Sequence, residues 1–355
     1  MDPIKVAFWN VQNLFDTAAT PIAADLEFTP AQGWTEEVLA AKIANLAKVI
    51  NQMHGGTGPD LLGLCEVENK AVVERLLAAI GRSDYRLAHV ESPDIRGIDC
   101  ALIYSTQVFN DPPVEDIVGH LVHFRYPTRD IFQVRLTLKA SGTELNVLVN
   151  HWPSRSLGQY ESEPSRITVA ERCGQLVDDL LKFDRRSWAA IPDSEAGLAQ
   201  LNTRWNRNVL LMGDFNDDPF NRSLTDYLRA AKDLDGVEEV FKAGSGRKTP
   251  SQKSYLEREA TLFNLSWPIL ATPDAGTIYG SAGPSANTMN VFDQFIASRG
   301  LVFGTAGLKL RAGSLQIFRP AEMASGAKLR PKEFDRKTKK GFSDHFPVQL
   351  LIDAL

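Results

Sequence analysis

The chain has 355 residues, a formal net charge of −5 and a charged fraction of 23%. Its length allows a large hydrophobic core, and its composition is that of a globular protein rather than a disordered one. The acidic balance argues against a protein that coats nucleic acid irrespective of sequence, because such proteins are basic. The three cysteines are too few and too widely spaced for a disulfide framework or a zinc motif.

The sequence contains no targeting or membrane-spanning pattern. Residues 1–5 lack the apolar region of a signal peptide. No apolar run approaches the ~18 residues that a membrane span needs. We therefore expect a cytoplasmic protein without a membrane span.

The first predicted strand, Ile4–Phe8, leads into three amides at Asn10, Gln12 and Asn13. Amide oxygens can serve a hard cation without adding charge, although a turn after an edge strand is the favoured explanation when they are taken alone. A helix is predicted next, with Thr35 as its N-cap and apolar residues at helical spacing.

The second buried strand, Pro59–Leu64, ends in Glu66. A carboxylate at the end of a buried strand is costly unless it is paired or binds a cation. Glu66 is therefore a candidate metal ligand. The alternative is that Glu66 or Glu68 caps the helix predicted at Lys70–Ile80.

Two later strands carry basic residues beside them. Arg125 and Arg129 precede the alternating strand Asp130–Leu138 and suit bidentate phosphate contact, although a surface location is at least as plausible. Leu145–Val149 runs into His151, which could shuttle protons near neutral pH or be a structural histidine. A helix follows, and residues 184–207 are expected to form an insertion or a long loop.

The segment 209–219 reads VLLMGDFNDDP, a buried strand closed by turn formers. Asp214 and Asn216 stand two apart and point the same way if strand geometry persists. Such a pair could orient and deprotonate a water molecule. An Asx turn explains the same residues about equally well.

The C-terminal part combines polar insertions, a buried acid and a basic run. Residues 243–290 are mostly polar or rich in Gly, Pro and Ser. Asp293 lies within an apolar strand and needs a partner. The basic run at 328–340 is either a solvated loop or a phosphate-facing flap, and it leads into Asp344 and His345 before the last strand.

Six stretches, taken in order, resemble the endonuclease/exonuclease/phosphatase superfamily: WNVQNL, LCEVEN, VNHWPS, GDFND, FDQF and SDHFPV. They span positions 9 to 348, which is nearly the whole chain. The resemblance implies an α/β (α+β) fold, a four-layer sandwich of two packed mixed β-sheets with helices on both outer faces. The strand-rich pattern with intervening helices agrees. We expect one domain over residues 1–355, with loop insertions near 184–207 and 243–290.

The resemblance also implies roles for individual residues. The catalytic set would be His151, Asp214, Asn216, Asp293 and His345. The metal set would be Glu66, Asn10 and Asp344, holding Mg²⁺ with Mn²⁺ as a possible substitute. We expect substrate contacts from Arg129, Arg155 and Asn150. One departure is Gln12, because several nucleases of the family carry an acid there, and its absence puts tight metal binding or a second metal in doubt.

Three hypotheses for function follow. The first is a metal-dependent DNA endonuclease, motivated by His151 and by the basic run at 328–340. The second is a phosphatase or phosphodiesterase of a small or lipid phosphoester. The third is a non-catalytic binding protein of the same fold, against which the intact set of acids and histidines argues.

Overall fold

The structure is a computed structural model. Parts of three sequence predictions lie outside the residues that it describes, namely Arg125, Lys328 of the basic run at 328–340, and residues 243–257, 273–274 and 281–287 of the stretch 243–290. The described residues are 2–20, 22, 25–123, 128–156, 158–192, 194–237, 258–272, 275–280, 288–326 and 329–355.

The regular elements alternate along the chain. The helices are α1 (Glu36–Gly56), α2 (Lys70–Ile80), α3 (Gln159–Leu181), α4 (Arg185–Ala189), α5 (Glu195–Trp205) and α6 (Arg299–Phe303). The longer strands are β1 (Ile4–Leu14), β2 (Leu61–Val67), β3 (Tyr85–His89), β4 (Asp99–Ser105), β5 (Ile117–His120), β6 (Ile131–Thr137), β7 (Glu144–His151), β8 (Val209–Asp214), β13 (Asp293–Ala297) and β18 (Val348–Ala354). The short strands are β9 (Ala230–Ala231), β10 (Leu262–Asn264), β11 (Ile278–Tyr279), β12 (Met289–Asn290), β14 (Leu308–Leu310), β15 (Gln316–Ile317), β16 (Ala324–Ser325) and β17 (Arg330–Pro331).

Two mixed sheets form the centre of the fold. Sheet I has the order β14-β18-β1-β2-β4-β3, with β15 also on β18, and sheet II has the order β5-β6-β7-β8-β13-β10-β9. Each sheet has one central parallel pair, β1 with β2 and β7 with β8, next to antiparallel neighbours. The carboxyl ends of these four strands bring together the polar residues described below.

The four layers arise because the central strands of both sheets are buried on both faces. In β1, Val6 and Phe8 pack between the two sheets, whereas Ala7 and Trp9 pack against α1 and α2. In β8, successive side chains also point to opposite faces. One set enters the core between the sheets, and the other enters the core under α3 and α5. The four-layer sandwich predicted from the resemblance is thereby confirmed.

Two local predictions need revision. Strand β1 does not stop at Phe8 but continues through the amides to Leu14. Residues 184–207 are not a long loop, because they contain α4 and α5, and Leu201 and Trp205 of α5 are buried against sheet II. Ser194 caps α5 by accepting from the backbone N–H of Gly197. Among the described helices, none is both long and apolar enough to cross a membrane.

Candidate active site

The strand registers bring residues from both sheets to one edge of the sandwich. In sheet II, His151 lies opposite Asp214, and Asp214 lies opposite Asp293. In sheet I, Asn10 lies opposite the residue that precedes Glu66. Polar residues distant in the sequence therefore meet at one edge.

Bulges in β1 and β2 aim the Glu66 carboxylate. Gln12, Asn13 and Glu66 have φ values of 54°, 53° and 61°, in the left-handed region that non-glycine residues rarely occupy. Hydrogen bonds offset this strain. The Gln12 N–H donates to Asn10 Oδ1 at 2.9 Å, and the Asn13 N–H donates to Glu66 Oε2 at 2.9 Å. Asn13, predicted only as one of three side-chain amides, thus fixes Glu66 through its backbone N–H.

The Glu66 and Asp214 carboxylates face a common point. Asn10 Nδ2 lies between them, donating to Glu66 Oε1 at 3.2 Å and to Asp214 Oδ2 at 3.1 Å. Two converging carboxylates require positive charge, and an oxygen-rich donor set suits a hard divalent cation. Asn10 could join that set through Oδ1 only after its amide flips, because Oδ1 now accepts from the Gln12 N–H.

Asp344 and Lys42 complete the charges around this pocket. Burial, with the nearby Glu66 charge, raises the pKa of Asp344, while His345 and Lys42 oppose the rise. Lys42 is buried in α1, donates from Nζ to Gln12 O at 2.6 Å, and has its pKa lowered by burial to about 8. Sequence reasoning missed Lys42, although a lysine within the apolar stripe of α1 was a visible pattern.

His345 and Asp293 form a buried ion pair. His345 Nδ1 lies 2.7 Å from Asp293 Oδ2, and the two side chains are 4% and 0% exposed. Burial disfavours the charged imidazole, but the Asp293 and Asp214 carboxylates outweigh it and raise the pKa of His345 well above its usual range. His345 Nε2 lies 3.7 Å from Asp214 Oδ2, so a cationic ring faces the pocket.

Asp214 is positioned by the backbone that follows β8. The Asn216 N–H donates to Asp214 Oδ1 at 2.9 Å, which leaves Oδ2 directed at the pocket. Burial raises the pKa of Asp214 to about 7, with His345 opposing and Asp293 reinforcing the shift. Asn216 itself has φ 51° and donates from Nδ2 to Trp152 O at 2.9 Å. Asp214 therefore has an affinity for protons suited to a general base near neutral pH.

His151 contributes a neutral imidazole. Its Nε2 lies 3.7 Å from Glu66 Oε1 and 3.8 Å from Asp214 Oδ2, and its buried Nδ1 has no partner among the described residues. Burial, followed by the charges of Arg129 and Arg96, lowers the pKa of His151 well below its usual range. His151 and His345 thus border one pocket in opposite protonation states.

The three expected substrate contacts are placed differently from the sequence prediction. Asn150 is fully buried, with Nδ2 donating to Leu148 O and Oδ1 accepting from Trp152 Nε1, so it packs beneath the site and does not reach its surface. Arg129 is buried and donates to Trp152 O at 2.8 Å, behind the catalytic edge.

Arg155 is also engaged within the protein. Its guanidinium donates to Asp217 Oδ1 at 2.7 Å and to Asn216 O at 2.8 Å. These contacts fix the loop after β8, on which Asn216 lies. In this structure the Arg155 and Arg129 side chains support the site, and that of Asn150 is buried beneath it, so the substrate contacts expected of these residues stay predictions.

Comparison with known proteins agrees with this fold. A comparison with curated protein sequences finds no significant match. Solved structures with the same fold include an endonuclease/exonuclease/phosphatase family protein from Bacteroides thetaiotaomicron (14% identity, TM-score 0.54, covering 100% of this chain and 99% of that one). The mannosyl-6-phosphatase Bt3783 of the same species is similar at 14% identity and TM-score 0.53, covering 99% of each chain. The TDP2 of D. rerio, solved with a single-strand DNA product, is similar at 12% identity and TM-score 0.51, covering 100% of each chain.

The family model described as endonuclease/exonuclease/phosphatase family matches residues 5–255, about seven-tenths of the sequence. The matched range contains Asn10, Glu66, His151 and Asp214, which meet at the edge described above. The chain belongs to the endonuclease/exonuclease/phosphatase family.

Proposed function

We propose that this protein is a divalent-metal-dependent hydrolase of phosphodiester bonds and that its substrate is DNA. Members of its family are hydrolytic phosphoesterases that generally use divalent metals. The observation that carries the proposal is the convergence on Asp214 Oδ2 of three groups. Asn10 Nδ2 lies at 3.1 Å, His345 Nε2 at 3.7 Å and His151 Nε2 at 3.8 Å.

The residues divide the work of hydrolysis. Asp214 orients a water molecule and accepts its proton through Oδ2, because Oδ1 is held by the Asn216 N–H. His345, kept cationic by Asp293, contacts a non-bridging oxygen and stabilises the charge that develops on the phosphate. His151 is neutral and lies on the other side of Asp214, where it can bond to the water or to the leaving oxygen.

Metal ligation is assigned to Glu66, with Asn10 and Asp344 beside it. A bound Mg²⁺ or Mn²⁺ would neutralise charge on the scissile phosphate. Gln12 adds no ligand, because its side chain contacts Glu333 and the Phe334 N–H instead. This arrangement supports a single metal in the pocket.

The choice of DNA rests on His151 and on the similarity to TDP2, which was solved with single-strand DNA. A phosphatase acting on a small phosphoester is the second candidate, favoured by the similarity to a mannosyl-6-phosphatase over 99% of each chain. The two candidates share the chemistry at Asp214 and differ in what surrounds the scissile bond.

Plasmid nicking tests the proposal. We expect supercoiled DNA to be nicked with Mg²⁺ or Mn²⁺ and left intact with chelator. Glu66→Gln should abolish nicking, whereas Glu74→Gln on the exposed face of α2 should not. A Glu66→Gln protein as active as wild type would refute the proposed metal chemistry. Release of phosphate from sugar or inositol phosphates without nicking would select the second candidate.

A further inference from the structure

An exposed basic hairpin borders the active site. We call residues 329–341 the basic lip. It carries four exposed bases that form no close ion pair with any described residue, namely Arg330, Lys332, Lys337 and Lys340. Lys332 and Lys337 interact at longer range with Glu322 and Asp335. Such bases, grouped on one hairpin, are notable in a chain whose net charge is −5. They create a local positive potential that the protein as a whole lacks.

The lip is joined to the metal-pocket loop through Gln12. Gln12 Nε2 donates to Glu333 Oε2 at 3.1 Å, and the Phe334 N–H donates to Gln12 Oε1 at 3.2 Å. Phe342, which lies two residues before Asp344, donates its backbone N–H to Lys332 O at 2.7 Å. Lys332 therefore lies at the base of the lip, next to the pocket. The amide at Gln12 serves this attachment in place of metal binding.

Other bases of the lip fasten it to α1 and to the segment that precedes α1. The Arg336 guanidinium lies over the rings of Phe28 and Trp34, at 4.4 and 5.3 Å from their centroids, and donates to Glu27 O at 2.7 Å. Lys339 pairs with Glu37 at the start of α1. The lip is thus attached at several points, and the exposed lysines Lys332, Lys337 and Lys340 do not use their ammonium groups for this attachment.

A second contact joins the lip to the strand next to His345. The Arg330 guanidinium lies 3.8 Å from the centroid of the Tyr279 ring on β11. Ile278, the neighbour of Tyr279, forms an antiparallel backbone bridge with His345. The lip is therefore connected through β11 to the segment that carries the residue proposed to contact the scissile phosphate.

We infer that the basic lip binds the phosphates of a nucleic acid strand that extends away from the scissile bond. This inference deepens the proposed function and rests on it. Lys340 lies opposite Asp335 across the hairpin in a backbone β-bridge. The hairpin therefore extends three residues beyond Lys332, or ~10 Å at ~3.3 Å per residue. A nucleic acid strand presents one phosphate per nucleotide, with a rise of ~3.4 Å along the axis of a duplex. A lip of ~10 Å can therefore contact more than one phosphate, whereas a small phosphoester with a single phosphate does not extend beyond the scissile group.

Salt-dependent binding of a labelled single-stranded oligonucleotide, with chelator to prevent hydrolysis, tests the lip. The triple variant Lys332→Gln/Lys337→Gln/Lys340→Gln should bind at least ~10-fold more weakly at low salt. The slope of log Kd against log salt should fall by about 2, at ~0.7 per lost phosphate contact. Unchanged affinity and slope in the triple variant would overturn the inference.

The control is Lys309→Gln, which removes an exposed lysine at the other end of β18. It should bind as wild type does, and a loss as large per lysine as in the triple variant would overturn the lip by indicating a general charge effect. Hydrolysis of bis(4-nitrophenyl) phosphate by wild type with Mn²⁺ tests the proposed function separately. Absent hydrolysis together with lip-dependent binding would refute the chemistry and retain the lip as a nucleic acid surface.

Discussion

Replacing Asp293 by asparagine should lower the pKa of His345 sharply. The Asp293 carboxylate lies 2.7 Å from His345 Nδ1 and is fully buried, and asparagine keeps its shape without its charge. In wild type this carboxylate and that of Asp214 together raise the pKa of His345 well above its usual range. Without the Asp293 charge, burial still lowers the pKa of His345, and Asp214 is the main group that still raises it.

The size of the change follows from the cost of breaking a buried ion pair. Removing one partner costs about 3–5 kcal/mol. At 1.36 kcal/mol per factor of ten, this corresponds to a fall of about 10²- to 10⁴-fold in the proton affinity of the imidazole ring. Asp214, whose Oδ2 remains 3.7 Å from His345 Nε2, should keep the fall near the lower figure. His345 would then keep its charge over a narrower pH range than in wild type.

Histidine side-chain resonances followed by NMR from pH 5 to 9, with chelator present, measure this directly. The His345 signals are identified by their absence from His345→Gln. The control is Asp84→Asn, which removes an acid paired with Arg82 at the opposite end of sheet I and should leave the His345 midpoint unchanged. A wild-type midpoint in Asp293→Asn would refute the electrostatic reasoning for the pair.

Three further predictions concern metal binding and stability. Glu66→Gln should weaken Mn²⁺ binding at least ~10-fold by calorimetry, because one of two converging carboxylates is lost. Burial lowers the pKa of His54 to about 4, below its unfolded value, so the unfolded chain binds more protons between those values. His54 should therefore contribute a loss of about 1–2 kcal/mol of unfolding free energy between pH 7 and pH 5. In urea titrations, His54→Asn should lose about that much less stability than wild type over this range, because asparagine does not titrate and tolerates the φ of 50° at this position. Equal losses in the two proteins would contradict the assignment. Gly213→Ala should destabilise by about 1–3 kcal/mol, since its Cβ would lie 2.3 Å from a backbone oxygen of β7. Gly174→Ala, with no atom nearer than 3.7 Å, should not destabilise in the same unfolding assay.

Much of the fold could be predicted because its information is local. Apolar runs such as VLLM in β8 and the alternation in β1 identify strands buried on both faces. Polar residues directly after such strands indicated Glu66 and Asp214, and His345 stands just before the last strand. The helices at 184–207 escaped prediction because charges and a proline interrupt the helical pattern there, whereas the burial of Leu201 and Trp205 against sheet II stabilises α5.

The sequence by itself determined which side chains end the central strands, and hence the kind of chemistry to expect. The tertiary structure decided what each side chain does. Asn150 and His151 are neighbours, yet strand alternation buries one towards Cys173 of α3 and turns the other to the pocket. Lys42 and Gln12 acquire their roles only through contacts with distant residues. Register and sheet packing fix distances between residues that are far apart in the chain, and no local pattern encodes those distances.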